Sequence, residues 1–327
     1  MNYRGISDLN EDIIKWIPQL PQDIELVVGI PRSGLLAANL LSLHLNIPMA
    51  DLDGFLESRI LSAGRRMKEF DKYSFLHTPR TVLVVDDSLA TGSQMDAARS
   101  MIEQAMLPHH VSFAAVYVGT FEQMSKIDYY FQHLPVPQLF EWNMFHRTLE
   151  NTCVDIDGVL CPDPKYYEDD DGDIYEQFLR SVPALRIPTY TIGWLVTCRL
   201  EKYRVLTVEW LRQHSIRFNN LIMMEYPDKK TRQREGAYSR FKASVYLKTG
   251  ADLFIESSPH EAEEIVRLSG KYVYCTSTHL MISPSSFDRM SERVKEELRK
   301  TRQYPLQRLK GFYHALRWWG RRILRDR

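Results

Sequence analysis

The chain has 327 residues, 44% of them hydrophobic and 26% charged, an ordinary globular composition that excludes a disordered or fibrous protein. At about 100 to 200 residues per domain, the length predicts two domains, each able to bury its own core. Lys and Arg balance Asp and Glu at 42 each, so the chain lacks the basic excess of a nucleic-acid coat.

The polar, acidic start, with Asp8, Glu11 and Asp12, does not read as a signal peptide. No apolar run reaches the roughly 18 residues of a spanning helix. The expected location is therefore the cytoplasm. Cys153, Cys161, Cys198 and Cys275 have neither CxxC nor Cys/His zinc spacing and read as core thiols in a reducing compartment.

In chain order, the first predicted strand is Leu26 to Ile30, followed by the turn Pro31-Arg32-Ser33-Gly34 and a helix-like LLAANLLSLHL. The second is Val82 to Val85, followed by Asp86-Asp87-Ser88-Leu89-Ala90-Thr91-Gly92-Ser93 and a helix-like QMDAARSMIEQA; a third covers Val111 to Val118. Short continuous apolar runs that lead through glycine turns into helical periodicity predict buried parallel strands of an α/β domain. Ligands of such domains bind beyond the carboxyl ends of the strands.

In VLVVDDSLATGSQ, two carboxylates lead into a small-residue turn that feeds a helix. Small side chains at Ala90, Thr91, Gly92 and Ser93 let backbone N–H groups approach a phosphate, and the carboxylates can accept from vicinal hydroxyls. This stretch resembles the donor-binding motif of type I phosphoribosyltransferases. By that resemblance, Asp86 and Asp87 hold the ribose hydroxyls of phosphoribosyl diphosphate, and Ala90 to Ser93 cradle its 5-phosphate. Upstream, GIPRSG, with Arg32, Ser33 and Gly34, takes the place of the family's pyrophosphate loop. Arg59 to Lys68, with Arg65 and Arg66, resembles its mobile catalytic loop. Departure of pyrophosphate leaves an oxocarbenium-like centre, which calls for Mg²⁺, cations such as Arg32, Arg65 or Arg66, and exclusion of water. No segment matches the hood that recognises a nucleobase. Instead EWNMFH, with Glu141, Trp142, Asn143 and His146, offers either a stacking plane with proton acceptors or packing at a domain seam.

The α/β pattern restarts near residues 146–150, after the proline-bearing LPVPQLFEW. Predicted strands cover Thr152 to Ile156, Thr191 to Val196 and Ala251 to Ile255, with helix-like YRVLTVEWLRQH and HEAEEIVRLSG. CVDIDGVL places Asp155 and Asp157 two apart at a strand end, and Gly158 permits the turn that converges them on one phosphate. A calcium loop is excluded, because the rest of its spacing is missing. The segment resembles the DxDGxL motif of haloacid dehalogenase-like (HAD-like) phosphatases. The resemblance makes Asp155 the nucleophile and Asp157 the general acid/base. It also matches Thr197 to the phosphate-binding hydroxyl, Lys242 (with Lys248 as rival) to the neutralising lysine, and Asp155, Asp157 and Glu256 to the Mg²⁺ ligands. Ser257 stands where many members carry a second acid, with Asp252 as partial compensation. Arg199, with Lys202, Tyr203 and Arg204, is expected to help hold a phosphosugar, with solvation of a helix N-terminus as the alternative. About 35 residues separate Asp157 from the next strand, enough for a small flap only. Its acidic run Glu168 to Asp173 reads as solvated or calcium-like.

In RLKGFYHALRWWGRRILRDR, residues 308–327, apolar positions recur at helical spacing and seven basic residues face one acid. This pattern predicts an amphipathic helix on an anionic membrane surface, with docking on protein as the alternative. The expected fold class is α/β: two Rossmann-like three-layer domains, one of the type I phosphoribosyltransferase fold (1–147) and one HAD-like (148–283), then a helical tail (284–327).

A transferase product keeps its 5-phosphate, and an adjoining phosphatase removes it. The pair resembles enzymes that install ribofuranose in bacterial polysaccharides. The expected partners are phosphoribosyl diphosphate, a lipid-linked glycan acceptor and the inner membrane surface, without nucleic acid. Nucleobase salvage with a nucleotide phosphatase, or a regulatory phosphoribosyl diphosphate-binding module, are the alternatives.

Overall fold

The computed structural model describes residues 1–61, 75–168, 171–236 and 238–284. Arg65 and Arg66, Asp169 and Asp170, and the tail 308–327 lie outside the described residues. The chain forms two compact units, Met1–His146 and one from Arg147 onward.

The first unit contains β1 (Asn2–Arg4), β2 (Leu26–Gly29), β3 (Met49–Asp51), β4 (Thr81–Leu89), β5 (His110–Val118), β6 (Tyr129–His133) and β7 (Gln138–Phe140). Among the described residues, five of these form a parallel sheet in the order β3-β2-β4-β5-β6, while β1 pairs with β7. Alternate residues serve opposite faces of a strand. Val82 and Val84 therefore join one apolar cluster with Val28 and Phe113, and Leu83 and Val85 join another with Ala38 and Val116. Both faces are covered, which is why the strands read as continuous apolar runs.

One boundary differs from expectation. The strand expected over Val82 to Val85 runs on to Leu89, because its ladder with β5 continues through Asp86 opposite Ala115 and Leu89 opposite Val118. Asp86 and Asp87 are thus strand residues, and the turn is confined to Ala90–Gly92 before the helix Ser93–Ala105.

The second unit contains β8 (Thr152–Val154), β9 (Ile192–Leu200), β10 (Phe218–Met224), β11 (Leu253–Glu256), β12 (Val273–Cys275) and β13 (Leu280–Ile282), in the sheet order β10-β9-β8-β11-β12-β13. All pairings are parallel except that of β13, which runs antiparallel at the edge. Asp155 follows the last residue of β8, whereas β9 extends beyond its expected end to include Thr197 and Arg199. Two helices place the remaining side chains. Tyr238–Thr249 carries Lys242. Pro259–Ser269 starts at Ser258, whose side chain caps Glu261 N, and stops at Gly270 in the left-handed region. The cysteines are free thiols. No helix among the described residues is long and apolar enough to cross a membrane.

Candidate active sites at the two sheet ends

At the carboxyl end of β2 and β4, the two sequence motifs of the first unit meet. Gly34 packs so closely on β4 that a Cβ there would lie 2.8 Å from the Val85 carbonyl oxygen and 2.9 Å from Asp86 Oδ1. Ile30 N donates to Val85 O, which fixes the start of the PRSG turn, and the Pro31–Arg32 peptide is cis. Ser33 is half-buried and Arg32 exposed.

Asp86 and Asp87 are both buried, and Asp86 Oδ1 accepts from Asp87 N at 2.9 Å. Burial, reinforced by the neighbouring Asp87 charge, pushes the Asp86 carboxyl up to about 8. Beyond them, Ala90, Thr91 and Ser93 are exposed and Gly92 is buried. Thr91 Oγ1 and Ser93 Oγ are 3.2 Å apart. Gln123, itself buried, donates from Nε2 to Thr91 O at 2.8 Å and so braces this turn from below. Gln123 escaped sequence reasoning because it comes from a separate short helix, Phe121–Met124.

The EWN segment also reaches this end of the sheet. Trp142 Nε1 donates to Asp87 Oδ2 at 2.7 Å, and Arg32 Nη2 donates to Asn143 Oδ1 at 2.6 Å. Trp142 stacks on Phe140 with ring centroids 4.8 Å apart, and Phe140 on Tyr117 at 5.6 Å.

In the second unit, Asp155, Thr197, Lys242 and Glu256 are all buried. Lys242 Nζ donates to Asp155 Oδ2 at 2.6 Å, to Glu256 Oε2 at 2.7 Å and to Glu261 Oε2 at 2.7 Å. The rival Lys248 is exposed at the far end of the same helix. Glu256 Oε1 accepts from Ser257 N and Ser258 N, so its carboxylate is held on both sides. Burial raises the Asp155 carboxyl well above its ordinary range despite the pull of Lys242, and Glu256 and Asp157 push the same way. Thr197 Oγ1 accepts from Arg199 N at 3.2 Å.

Gly158 adopts φ +75° and lies against Ser257 Oγ, a conformation and a contact that other residues tolerate poorly. Asp163 Oδ2 sits 2.8 Å from the position of a Gly158 Cβ; burial and the charges of Asp157 and Glu256 raise its carboxyl.

Two expectations need correction. Arg199 does not present itself to a phosphosugar. Its side chain is 0% exposed and grips Asp157, with Nη2 2.6 Å from Oδ1 and Nε 3.0 Å from Oδ2. Burial would raise the Asp157 carboxyl, but the Arg199 guanidinium outweighs it and holds the group below the usual range. Asp252 does not compensate for a second acid either, since it precedes β11 at the opposite end from Glu256 and accepts from Asn151 Nδ2. Glu261 instead lies beside Glu256 on Lys242 Nζ, with Oε2 at 2.7 Å. Its signal was the S-P-H-E helix start, which sets a glutamate on the first turn facing the strand end.

The flap segment is held by Asp171. Its Oδ1 accepts from the Tyr203 hydroxyl at 2.8 Å and meets Lys202, while Oδ2 accepts from Lys229 N. The acidic run is therefore not simply solvated at this residue.

Among the described residues, no three His, Cys, Asp or Glu side chains are arranged about an ion; three carboxylates close on Lys242 instead. The donor chemistry fits a hard divalent cation. Asp155, Glu256 and Glu261 share one ammonium group, so negative charge is left over, and every donor is oxygen.

No family model and no curated protein match the chain. Among solved structures it is similar to a purine phosphoribosyltransferase from Pyrococcus horikoshii, with 17% identity, 43% of this chain and 92% of that one covered, and TM-score 0.32. It is similar to a xanthine-guanine-hypoxanthine phosphoribosyltransferase from Helicobacter pylori, with 18% identity over 43% and 92% and TM-score 0.32. It is also similar to an orotate phosphoribosyltransferase from Aeropyrum pernix, with 16% identity over 38% and 66% and TM-score 0.27.

Proposed function

We propose that this chain transfers a 5-phosphoribosyl group from phosphoribosyl diphosphate to a glycan acceptor and then removes the 5-phosphate, leaving ribofuranose. The observation that carries this reading is one chain with two strand-end sites of matching chemistry. In one, Gly34 of the PRSG turn packs on Asp86; in the other, Lys242 joins Asp155 and Glu256.

In the first site, Asp86 and Asp87 accept from the ribose hydroxyls, and the backbone of Ala90 to Ser93 receives the 5-phosphate at the start of a 13-residue helix, where the dipole favours an anion. Arg32 and Gly34 flank the pyrophosphate, and Arg65 and Arg66, which lie outside the described residues, are assigned to it by sequence alone. The acceptor hydroxyl attacks C1 as the C1–O bond to pyrophosphate breaks, and the acceptor's proton is lost to solvent or base.

In the second site, Asp155 attacks the phosphorus of the 5-phosphate and the alkoxide leaves. For Asp157 to deliver a proton to that oxygen, and then take one from the water that hydrolyses the aspartyl phosphate, its carboxyl must first leave Arg199, which holds it below the usual range. Lys242 and Thr197 neutralise and hold the phosphoryl oxygens. Asp155, Glu256 and the Asp157 carbonyl would hold Mg²⁺, which supplies charge neutralisation when bound. Hydrolysis makes the two-step sequence irreversible. A lipid-linked acceptor suits the basic, aromatic-rich sequence of residues 308–327 and the shortness of the segment between Asp157 and β9.

The test is incubation of the full chain with phosphoribosyl diphosphate, Mg²⁺ and a tag- or lipid-linked glycan, followed by mass spectrometry. The expected product gains a phosphopentose that becomes a pentose, and D155N stops at the phosphopentose. If D155N instead loses the first mass gain, or if a free nucleobase is the better acceptor, the reading is wrong.

A further inference from the structure

The 3₁₀ turn Glu141–Asn143 touches both halves of the first site from one side. Its Trp142 N–H donates to Asp87 Oδ2, and its Asn143 carboxamide oxygen accepts from Arg32. These are the two groups the donor needs, Asp87 for a ribose hydroxyl and Arg32 for a pyrophosphate oxygen. The turn satisfies each with the same kind of partner. The indole offers Asp87 an N–H where ribose offers an O–H, and the amide offers Arg32 a neutral oxygen where pyrophosphate offers a charged one.

Burial points the same way. Asp87 is only 2% exposed, so a hydroxyl arriving from solvent cannot reach it until a neighbouring group withdraws. Trp142, partly buried, donates to Asp87 Oδ2 at 2.7 Å, and Ser88 Oγ donates to the same oxygen more weakly at 3.5 Å. The turn itself has an anchor that does not involve the pocket, because Glu141 Oε2 accepts from Ile6 N at 2.8 Å.

We propose that Trp142 and Asn143 are further residues of the donor site, which hold Asp87 and Arg32 and exchange both hydrogen bonds for the donor on binding. The proposal rests on the transferase reading above. It has two consequences. The protein's own contacts compete with the donor and lower its apparent affinity. Donor entry also frees the Trp142 ring, so the acceptor side of the pocket is remodelled only after the donor has bound.

The experiment is calorimetric titration of the full chain with phosphoribosyl diphosphate and Mg²⁺, on wild type, W142F and N143A. W142F keeps a ring to stack on Phe140 and loses the N–H. Removing one competing hydrogen bond should tighten donor binding by about twofold to tenfold in each variant. The chain has six tryptophans, and the donor-induced change in their fluorescence should be present in wild type and largely lost in W142F. Unchanged or weaker donor binding in W142F, or in N143A if W142F fails to fold, overturns the proposal. A wild type that binds no donor at all overturns the transferase reading instead, and the two failures are told apart by that control.

Discussion

Arg199 and Asp157 form a two-pronged ion pair at the heart of the second unit, with the guanidinium fully buried and three nitrogen–oxygen distances of 2.6, 3.0 and 3.2 Å. Arg199 Nη1 also reaches Thr207 Oγ1, and Nη2 reaches Cys161 Sγ, so the fork is held on several sides. Removing one member of such a pair strands a buried charge. R199M should lower the unfolding free energy by about 3–5 kcal/mol in urea titrations, and adding D157N to it should recover part of that loss. A cost in R199M below about 1 kcal/mol would show that the pair is solvated in solution.

Asp86 supplies a pH signature. Its carboxyl is raised to about 8, so between the unfolded value near 3.8 and about 8 the folded state holds a proton that the unfolded state has lost. Stability of the ligand-free first unit should therefore fall as pH rises across that window and level off above it. In D86N the slope should be reduced, and donor binding should be lost in the same variant. Thermal melts at pH 5, 6.5 and 8 check the sign.

Gly158 offers a way to separate the two steps. With φ +75° and Ser257 Oγ against it, a G158A substitution should cost about 1–3 kcal/mol and misplace Asp157 relative to Asp155. Phosphopentose should then accumulate on the acceptor at a nearly normal rate. Equal loss of both mass changes would argue that the variant has simply unfolded.

The leftover negative charge around Lys242 predicts a magnesium response. Wild type should bind Mg²⁺ in calorimetry, and D155N and E256Q should each weaken that binding at least about tenfold, the scale of a lost charged ligand. Binding that survives both substitutions would place the ion elsewhere.

The buried strands were the legible part of the fold. Runs such as LVVG and VLVV are apolar at every position, because both sheet faces are covered. β10 was not legible, since its sequence FNNLIMM lies at a sheet edge with exposed Asn219 and Asn220 mixed into the pattern. The resemblance of CVDIDGVL to a known motif pointed to Asp155 and Lys242, which lie 2.6 Å apart. It could not say which way Arg199 faces, because a cation late in a strand is equally compatible with a ligand and with a buried carboxylate, and only the packing of Asp157, Cys161 and Thr207 around it decides. Trp142 posed the same problem. Its partner Asp87 is 55 residues away in sequence, and the Trp142 ring stacks on Phe140 within the first unit.

The first site draws on residues 29–34, 86–93 and 141–143, and the second on 155–157, 197–199, 242 and 256–261. As a ribosome extends the chain, the residues of the first candidate site are therefore complete once Asn143 has emerged, while the second candidate site must wait for Glu261, more than a hundred residues later. For that interval every nascent chain carries all the residues of the first candidate site without those of the second, and a fragment ended just after His146 would isolate the first unit.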